Sequence, residues 1–199
     1  MKSFLFRIFL TSALSAAPAF AQQTEEIPTS QVATPQMGHE MQKLVNVFVG
    51  TWSLSETYEP NEWMPNGGVG QGQQIWRAGP GGRSLMEEYH STNPNGDISG
   101  LSVTWWDDEA QGYRAIWCDS SNPGGCVVMA KLAKWEGDQF VLADQFERNG
   151  KKFTFKEIVS DITSTSFTQT QYLGESSEEL AKLMTIRAVK VPDAKKQLP

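Results

Sequence analysis

The sequence predicts an all-β protein, an antiparallel barrel of about 8–10 strands with a short helix before the first strand. Apolar residues recur at helical spacing up to Phe48, and from Trp52 onward they alternate with polar ones at a period of two. The alternating segments are separated by short turn sequences, with no crossover helix between them. Because an open sheet of that many strands exposes two unpaired edges, we expect the sheet to curl and close.

The first 21 residues have the pattern of a secretory signal peptide. Lys2 and Arg7 make a basic start, the run from Leu5 to Ala17 is largely apolar, and Ala19-Phe20-Ala21 is a cleavage signal. The apolar run is too short for a convincing transmembrane anchor, so we expect no membrane insertion. The sequence predicts export to a bacterial periplasm or to the extracellular space, with a mature chain that begins near Gln22.

Three further segments follow from composition. Residues 22–34 are polar and predict a flexible leader, residues 35–190 predict the barrel domain, and residues 191–199 predict a flexible tail. Thr34 and Pro35 resemble an N-cap followed by proline at the first helical position, and Gly50 is a suitable stop. The apolar face of the predicted helix is formed by Met37, Met41, Leu44, Val45 and Phe48.

Net charge excludes some partners. Removing Lys2 and Arg7 from the 17 basic residues leaves 15 against 23 acidic ones, so the mature chain has a net charge of −8. A nucleic-acid-binding protein typically shows the opposite sign and a basic patch, and an anionic membrane surface would repel this chain. We therefore expect no nucleic-acid partner; the sequence leaves the oligomeric state open.

Cys118 and Cys126 are the two cysteines of the chain. In an exported protein they predict a disulfide, and the seven residues between them are rich in turn formers, so the bridge would close a hairpin loop. A loop this short predicts about 2.5 kcal/mol of stabilisation in the chain-entropy picture. A redox role is a weaker alternative, because the C-x-x-C spacing is absent.

The strands are predicted from alternation and turn residues. The first contains Trp52, Leu54, Glu56 and Tyr58 on one face. The others are predicted near residues 69–78, 84–91, 98–106, 112–118, 126–135, 138–147, 151–160, 164–173 and 182–190.

Gly50-Thr51-Trp52 after a short helix resembles the opening of the lipocalin-like (calycin) barrels. In that family an arginine on the last strand packs over the tryptophan, and Arg187 is the matching residue here. The resemblance implies that Trp52 and Arg187 are structural residues at one end of a lipocalin-like barrel.

A closer resemblance is to the bacterial domain of unknown function 1579. Its segments match Leu44 to Trp52, Trp76 to Tyr89 and Gly100 to Trp117. Two features depart from the family pattern: Trp106-Asp107 stands in place of Tyr-Asp, and the predicted disulfide loop is not a family feature. The family has no established activity, so this resemblance implies a fold and leaves the function open.

Polar residues at inward positions of the predicted strands mark a candidate ligand site. Glu56, Asp144 and Glu157 each share a face with large apolar residues, and Gln169 and Gln171 follow Phe167 in the same way. Since a solid core does not accommodate several unpaired carboxylates, these positions indicate a cavity with water or a polar ligand. The predicted pocket-lining residues are Glu56, Tyr58, Trp63, Asp144, Glu157, Gln169 and Gln171.

Two alternatives remain open for these residues. A β-bulge would shift the register and turn them toward solvent, or they would pair with Arg114 or Arg187 as internal ion pairs. Trp63 and Met64 lie in the long first connection, where they would either cover the open end of the barrel or pack on its rim.

No metal or cofactor is predicted. The two histidines, His39 and His90, are far apart in sequence, and the cysteines are expected to be bridged. His90 shares a predicted face with Glu88, which makes it a weak general-base candidate or a solvated residue at a hairpin end. Gly68, Gly70 and Gly72 lack phosphate-loop spacing and predict a bent strand or a close approach of backbones.

The sequence therefore leaves three hypotheses of function. The first is a secreted lipocalin-like barrel that binds a small, largely apolar ligand, neutral or cationic rather than anionic because the mature chain is acidic. The second is a barrel enzyme of isomerase or hydrolase type that uses Glu56, Asp144 or Glu157 as acid or base. The third is an interaction module that uses an exposed Trp105 or Trp106.

Overall fold

A computed structural model describes residues 37–62, 64–148 and 150–192. The described part of the chain contains one α-helix, α1, and eleven strands, β1 to β11. Their bounds in chain order are α1 His39–Phe48, β1 Gly50–Tyr58, β2 Gly68–Ala78, β3 Leu85–Asn93, β4 Gly96–Asp107, β5 Gly112–Asp119, β6 Cys126–Val128, β7 Lys134–Glu136, β8 Gln139–Arg148, β9 Lys151–Ser160, β10 Ser166–Gly174 and β11 Ala181–Lys190.

All eleven strands form one antiparallel sheet in the order β6-β5-β4-β3-β2-β1-β11-β10-β9-β8-β7. The segment between β6 and β7 connects the two ends of this sheet. On one side Tyr113 of β5 and Ala133 exchange backbone hydrogen bonds of 3.0 and 2.8 Å. On the other side the Ala130 amide donates to Asp144 Oδ1 of β8 at 2.9 Å. The predicted antiparallel barrel is thus confirmed.

The strand count exceeds the predicted 8–10 because the region predicted as one strand near residues 126–135 divides into β6 and β7. Its first half pairs with β5 and its second half with β8. One strand cannot pair along its whole length with two neighbours that diverge, so the chain crosses between them in an irregular segment.

Helix α1 packs on the barrel through an apolar face. It begins at His39 with Gly38 as the N-cap, later than the predicted start at Pro35, and Thr34-Pro35 lies outside the described residues. Met41, Leu44 and Phe48 are buried. The ring of Phe48 lies 5.1 Å from that of Trp76, 5.5 Å from Phe167 and 6.1 Å from Phe140, so the helix end is anchored to three strands. At 10 residues, α1 is too short to span a bilayer, and the described part of the chain contains no other candidate.

Trp52 is the most deeply buried side chain at this end, with 0% exposure. Its Nε1–H donates to the Phe48 carbonyl at 2.7 Å, which ties β1 to the last turn of α1. Its ring lies 4.6 Å from Phe167.

The predicted packing of Arg187 over Trp52 is wrong. The register pairs Trp52 with Lys190 and pairs the exposed Arg187 with Ser55 on the outer face. Lys190 Nζ lies 5.1 Å from the Trp52 ring centroid, a cation–π contact. Gly50 makes room for it, since a Cβ at this position would lie 2.6 Å from Lys190 Cε.

The predicted disulfide is confirmed. Cys118 and Cys126 are opposite each other on β5 and β6 and are bridged at 2.06 Å. The bridge closes the hairpin of β5 and β6, next to the irregular segment between β6 and β7.

We expect Trp52→Phe to lower the free energy of unfolding by about 2–3 kcal/mol, since it removes a buried hydrogen bond and leaves a cavity under α1. Arg187→Ala should change it by less than about 0.5 kcal/mol, because the side chain is exposed. Urea denaturation of both variants measures this difference. Equal destabilisation by the two substitutions would contradict the assigned register.

Candidate functional site

The inward positions of the strands contain the polar residues that the alternation predicts. On β1, Trp52, Leu54 and Glu56 are buried while the intervening serines are exposed. Glu56, Asp144 and Gln169 are buried, and Tyr58, Glu157 and Gln171 are half-buried. Trp63 lies outside the described residues, and its role as a ligand contact stays a prediction, as do those of the other six.

Neither sequence-based alternative explains these side chains. The burial of Glu56, Asp144 and Gln169 rules out a shifted register at these positions, and the register of β10 against β11 shifts only after Gln171. Arg114 pairs with Asp107, and Arg187 is exposed. The ion pairs found in the described part of the chain include none with Glu56, Asp144 or Glu157.

Glu56 is the centre of a hydroxyl cluster, which we call the Glu56 cluster: Glu56 and Tyr58 from β1 with Tyr89 and Ser91 from β3. The hydroxyls of Tyr58 and Ser91 donate to Glu56 Oε2 at 2.7 and 2.6 Å, and that of Tyr89 donates to Oε1 at 2.7 Å. Both carboxylate oxygens are therefore hydrogen-bonded although Glu56 is only 2% exposed.

Glycine in the intervening strand β2 makes this cluster sterically feasible. Gly70 is paired with Glu56, and a Cβ at Gly70 would lie 2.6 Å from Glu56 Oε2. The carboxylate of β1 thus passes over a strand that has no side chain there and reaches the hydroxyls of β3.

The tyrosines of this cluster stay protonated. Burial, followed by the hydrogen bond and negative charge of Glu56, raises the pKa of Tyr58 to about 12. Burial is also the main reason why the pKa of Tyr89 is raised. Each hydroxyl donates to Glu56 and retains lone pairs that can accept a hydrogen bond from another group.

A second polar network, which we call the amide relay, crosses the interior from β3 to β9. Gln74 Nε2 donates to Glu87 Oε1 at 2.7 Å and to Gln169 Oε1 at 3.1 Å. Gln169 Nε2 donates to Glu157 Oε1 at 3.5 Å, and Gln171 Nε2 donates to Glu157 Oε2 at 2.7 Å. Two carboxyl groups are thereby linked through side-chain amides from opposite parts of the sheet.

Burial raises the pKa values of both carboxyl groups of the relay. Burial and then the charge of Glu157 raise the pKa of Glu87 to about 8, although hydrogen bonds from Ser102 and Gln74 act in the other direction. Burial also raises the pKa of Glu157, opposed by hydrogen bonds from Gln171 and Gln169. Near neutral pH, Glu87 therefore lies within the range where it gains and loses a proton.

Two buried polar atoms beside the relay have no hydrogen-bond partner, Gln74 Oε1 and Trp76 Nε1. Because Glu87 Oε1 and Gln169 Oε1 both accept from the Gln74 nitrogen, its amide oxygen points away from them. Trp76 follows two residues later on the same face of β2 and is paired with Glu87. One acceptor and one donor thus remain unpaired on the inward face of β2, and Trp135 Nε1 is a third such atom in the described part of the chain.

The other candidates have different surroundings. Asp144 accepts the Ala130 amide and joins β8 to the segment that closes the barrel. His90 is exposed beside Ser99 on the outer face, away from the buried carboxyl groups. Met64, next to Trp63, is buried. No group of three or more potential metal ligands occurs among the residues the structure describes.

Sequence reasoning missed Glu87, Gln74 and Ser91 as inward groups, and it noted Tyr89 only as a family match. On β3 it considered the face of His90 and Glu88, which is the outer one. The available signal was the alternation that starts at Leu85. Since Leu85 is apolar and faces inward, the alternation places Glu87, Tyr89 and Ser91 on the same inward face.

The surface of the described residues has depressions that include a cleft and a groove. A cleft of about 230 Å³ lies where the β1–β2 connection meets β9, β10 and β11; it is lined in part by Pro60, Phe153, Leu173 and Lys182. It is next to the end of β1 that contains Tyr58, opposite the end covered by α1. A shallower groove of about 430 Å³ lies by Gln73, His90, Thr92, Asp97 and Ser99.

We expect the stability of the protein to fall as the pH rises from about 5 to 9. The folded pKa of Glu87, about 8, lies above its ordinary value of 4.5, so the folded state keeps a proton that the unfolded chain releases. This contribution is complete below pH 4.5 and is lost as the pH rises through 8, with an upper limit of about 5 kcal/mol. Glu157 acts in the same direction.

Glu87→Gln should flatten this pH dependence, because the amide stays neutral throughout. Thermal unfolding at several pH values measures it, with Glu88→Gln, at a half-buried outer-face position of the same strand, as the control that keeps the wild-type slope. The same slope in Glu87→Gln and wild type would show that Glu87 ionises normally.

Comparisons with known proteins support the fold. No family model matches the sequence, so the resemblance to the domain of unknown function 1579 stays a prediction. A putative beta-xylosidase of Xylanibacter ruminicola is 32% identical over 117 residues, which cover 52% of this chain and 21% of that protein. The chain thus spans about a fifth of the length of this curated relative.

Two solved structures have the same general architecture. Rv2717c from M. tuberculosis matches with a TM-score of 0.53 and 10% identity, over 78% of this chain and 99% of that one. The S-type phycobiliprotein lyase CPES from Guillardia theta matches with a TM-score of 0.52 and 10% identity, over 82% and 98%. At such low identity these matches show that this chain has their barrel fold, and nothing about its activity.

Proposed function

We propose that the protein binds a small, largely apolar molecule inside the barrel and that polar groups of the amide relay anchor it. The observation that carries this proposal is the pair of buried, unpartnered atoms, Gln74 Oε1 and Trp76 Nε1. Leaving a buried donor or acceptor unpaired costs about 1–3 kcal/mol each. A ligand that offers a donor to one and an acceptor to the other would remove that cost.

The two polar networks differ in this respect. In the Glu56 cluster both carboxylate oxygens have donors, so this cluster is complete without a ligand. The amide relay is incomplete at Gln74. The relay, rather than Glu56, is therefore the place where a ligand would add the most interaction energy.

Aromatic and aliphatic groups surround the relay and would contact an apolar ligand. The rings of Tyr89 and Trp117 lie 5.9 Å apart, and Trp117 is half-buried. Leu142 and Met184 flank Glu157 and Gln171 in the same cross-strand row. We assign the cleft beside Tyr58 as the mouth, since Leu183 and Leu173 in its lining lie next to this row on β11 and β10.

We also propose that the protein is exported, with residues 1–21 as a signal peptide and a periplasmic or extracellular destination. The disulfide between Cys118 and Cys126 supports this, since such bonds persist in oxidising compartments. Membership of the family of the domain of unknown function 1579 is part of the same proposal and rests on the motifs of the sequence.

An enzyme of isomerase or hydrolase type is the second candidate. The observation that favours it is that two buried carboxyl groups, Glu87 and Glu157, are linked through the relay. Burial raises the pKa of Glu87 to about 8, and acid–base catalysis works best when the pKa of the group lies near the working pH. This shifts the candidate acid and base to Glu87 and Glu157. Asp144 is occupied by the Ala130 amide, and Glu56 is saturated by hydroxyls.

The interaction-module hypothesis loses its main support. Trp105 and Trp106 are both half-buried, and Trp106 packs on Tyr113 at 4.9 Å while its Nε1–H donates to Asp108. Neither indole is the centre of an exposed aromatic patch.

Binding of Nile red, a neutral apolar dye, tests the proposed function. We expect a fluorescence increase with wild-type protein and competition by compounds that native mass spectrometry finds in protein purified from an export compartment. Gln74→Leu should weaken binding of a co-purified compound about tenfold, since it removes the unpaired acceptor. Gln73→Leu, one residue away on the outer face, is the matched control and should bind like wild type. No bound compound and no dye binding would refute the proposal.

A further inference from the structure

We propose that the outer face of strands β3 to β6 is a self-association surface through which two copies of this chain form a two-fold symmetric dimer. The surface lies on the outside of the barrel and is independent of the ligand site proposed inside it. Three observations carry the proposal: apolar side chains in register across four strands, their lack of charge in an acidic chain, and paired charges of both signs at their border.

One row of apolar side chains crosses the outer face of four strands. Met86 of β3 is opposite Val103 of β4. Val103 is opposite Ile116 of β5, which is opposite Val128 of β6. These positions alternate with the buried positions of β3, β4 and β5, so the row faces outward. Met86 is 38% exposed and Val128 is 65% exposed.

A second row lies beside the first. Leu101 of β4, which is 38% exposed, is opposite Cys118, and Cys118 is bridged to Cys126 of β6. Successive outward positions of one strand are about 6.8 Å apart, so the two rows are neighbours. We call these side chains together the outer patch: Met86, Leu101, Val103, Ile116, Val128 and the Cys118–Cys126 bridge.

The area of the outer patch suits the centre of a weak dimer interface. Four strands about 4.8 Å apart and two rows about 6.8 Å apart, with side-chain widths added, give roughly 250 Å². Weak interfaces bury less than about 600 Å² per partner, and an apolar centre with a polar rim is their usual composition. We therefore expect a dissociation constant of roughly 10–100 µM.

Charge favours a second copy of the chain over an oppositely charged partner. The chain has 23 acidic and 17 basic residues, but no side chain of the outer patch is charged. At its border Arg77 pairs with Glu88, and Arg114, opposite the half-buried Trp105, pairs with Asp107. Each border thus carries both signs, and a two-fold axis can bring an arginine of one copy to a carboxylate of the other. The two outer faces would then pack about 10 Å apart, as stacked sheets do.

Strand β6 leaves this face accessible at the edge of the sheet. It ends the strand order, and among the described strands it pairs with β5. Proteins commonly protect such edges with charged side chains, especially lysine. The chain from Ser120 to Met129 contains no charged residue, so a second acidic copy meets no like-charge repulsion there.

Sedimentation velocity of protein purified from an export compartment tests the proposal, at about 5 to about 500 µM. We expect the wild type to pass from monomer to dimer over this range. Val128→Asp should raise the dissociation constant at least about tenfold, because the symmetry places two new carboxylates in one apolar interface. Leu101→Asp should act in the same direction, and circular dichroism and thermal unfolding establish that each variant is folded. If Val128→Asp does not fold, Leu101→Asp replaces it.

Val69→Asp is the matched control. Val69 is 75% exposed on the outer face of β2, at the opposite end of that strand from Arg77, so its substitution should leave the dimer unchanged. A wild type that stays monomeric throughout the range overturns the proposal. So does a dimer that the folded patch variants do not weaken, or that Val69→Asp weakens equally. A monomer that floats with neutral phosphatidylcholine vesicles, and loses this in Val128→Asp, would assign the outer patch to a membrane instead.

Discussion

The burial of Trp52 under the end of α1 is the interaction on which the rest of the interior depends. Its hydrogen bond to the Phe48 carbonyl and its contact with Phe167 fix the position of β1 along its axis. Since side chains alternate between faces, a slip of one residue would turn Glu56 outward and Ser55 inward. A single buried indole thus holds the register that brings Glu56 to Tyr89 and Ser91.

Strand β2 supplies the second constraint. The N-terminal half of β2 has glycine at two inward positions, Gly70 and Gly72. Its C-terminal half contributes the inward side chains of Gln74 and Trp76. Gly70 allows the Glu56 carboxylate to cross over the strand, while Gln74 links Glu87 to Gln169 across the interior. The two polar networks of the barrel therefore involve different halves of this strand, and one is fully hydrogen-bonded while the other has unpaired atoms.

Much of the fold was predictable because it depends on local signals. Period-two alternation located the strands, tight turns between them indicated antiparallel neighbours, and cysteines flanking a turn-rich loop predicted the disulfide. The inward positions of Glu56, Asp144, Glu157, Gln169 and Gln171 followed from the same alternation. Alternation did not predict that Lys190, rather than Arg187, packs over Trp52, because this contact depends on the pairing register of two strands that are far apart in the chain.

Sequence by itself determined the class of fold, the pairing of Cys118 with Cys126 and the presence of carboxyl groups at inward positions. Only the tertiary structure decided which of those groups meet. Gln74 and Gln169 are 95 positions apart, and they touch because the barrel brings β2 and β10 to face the same space. Their contact, and the charge of Glu157 that helps to raise the pKa of Glu87, both depend on atoms contributed by strands that do not adjoin in sequence.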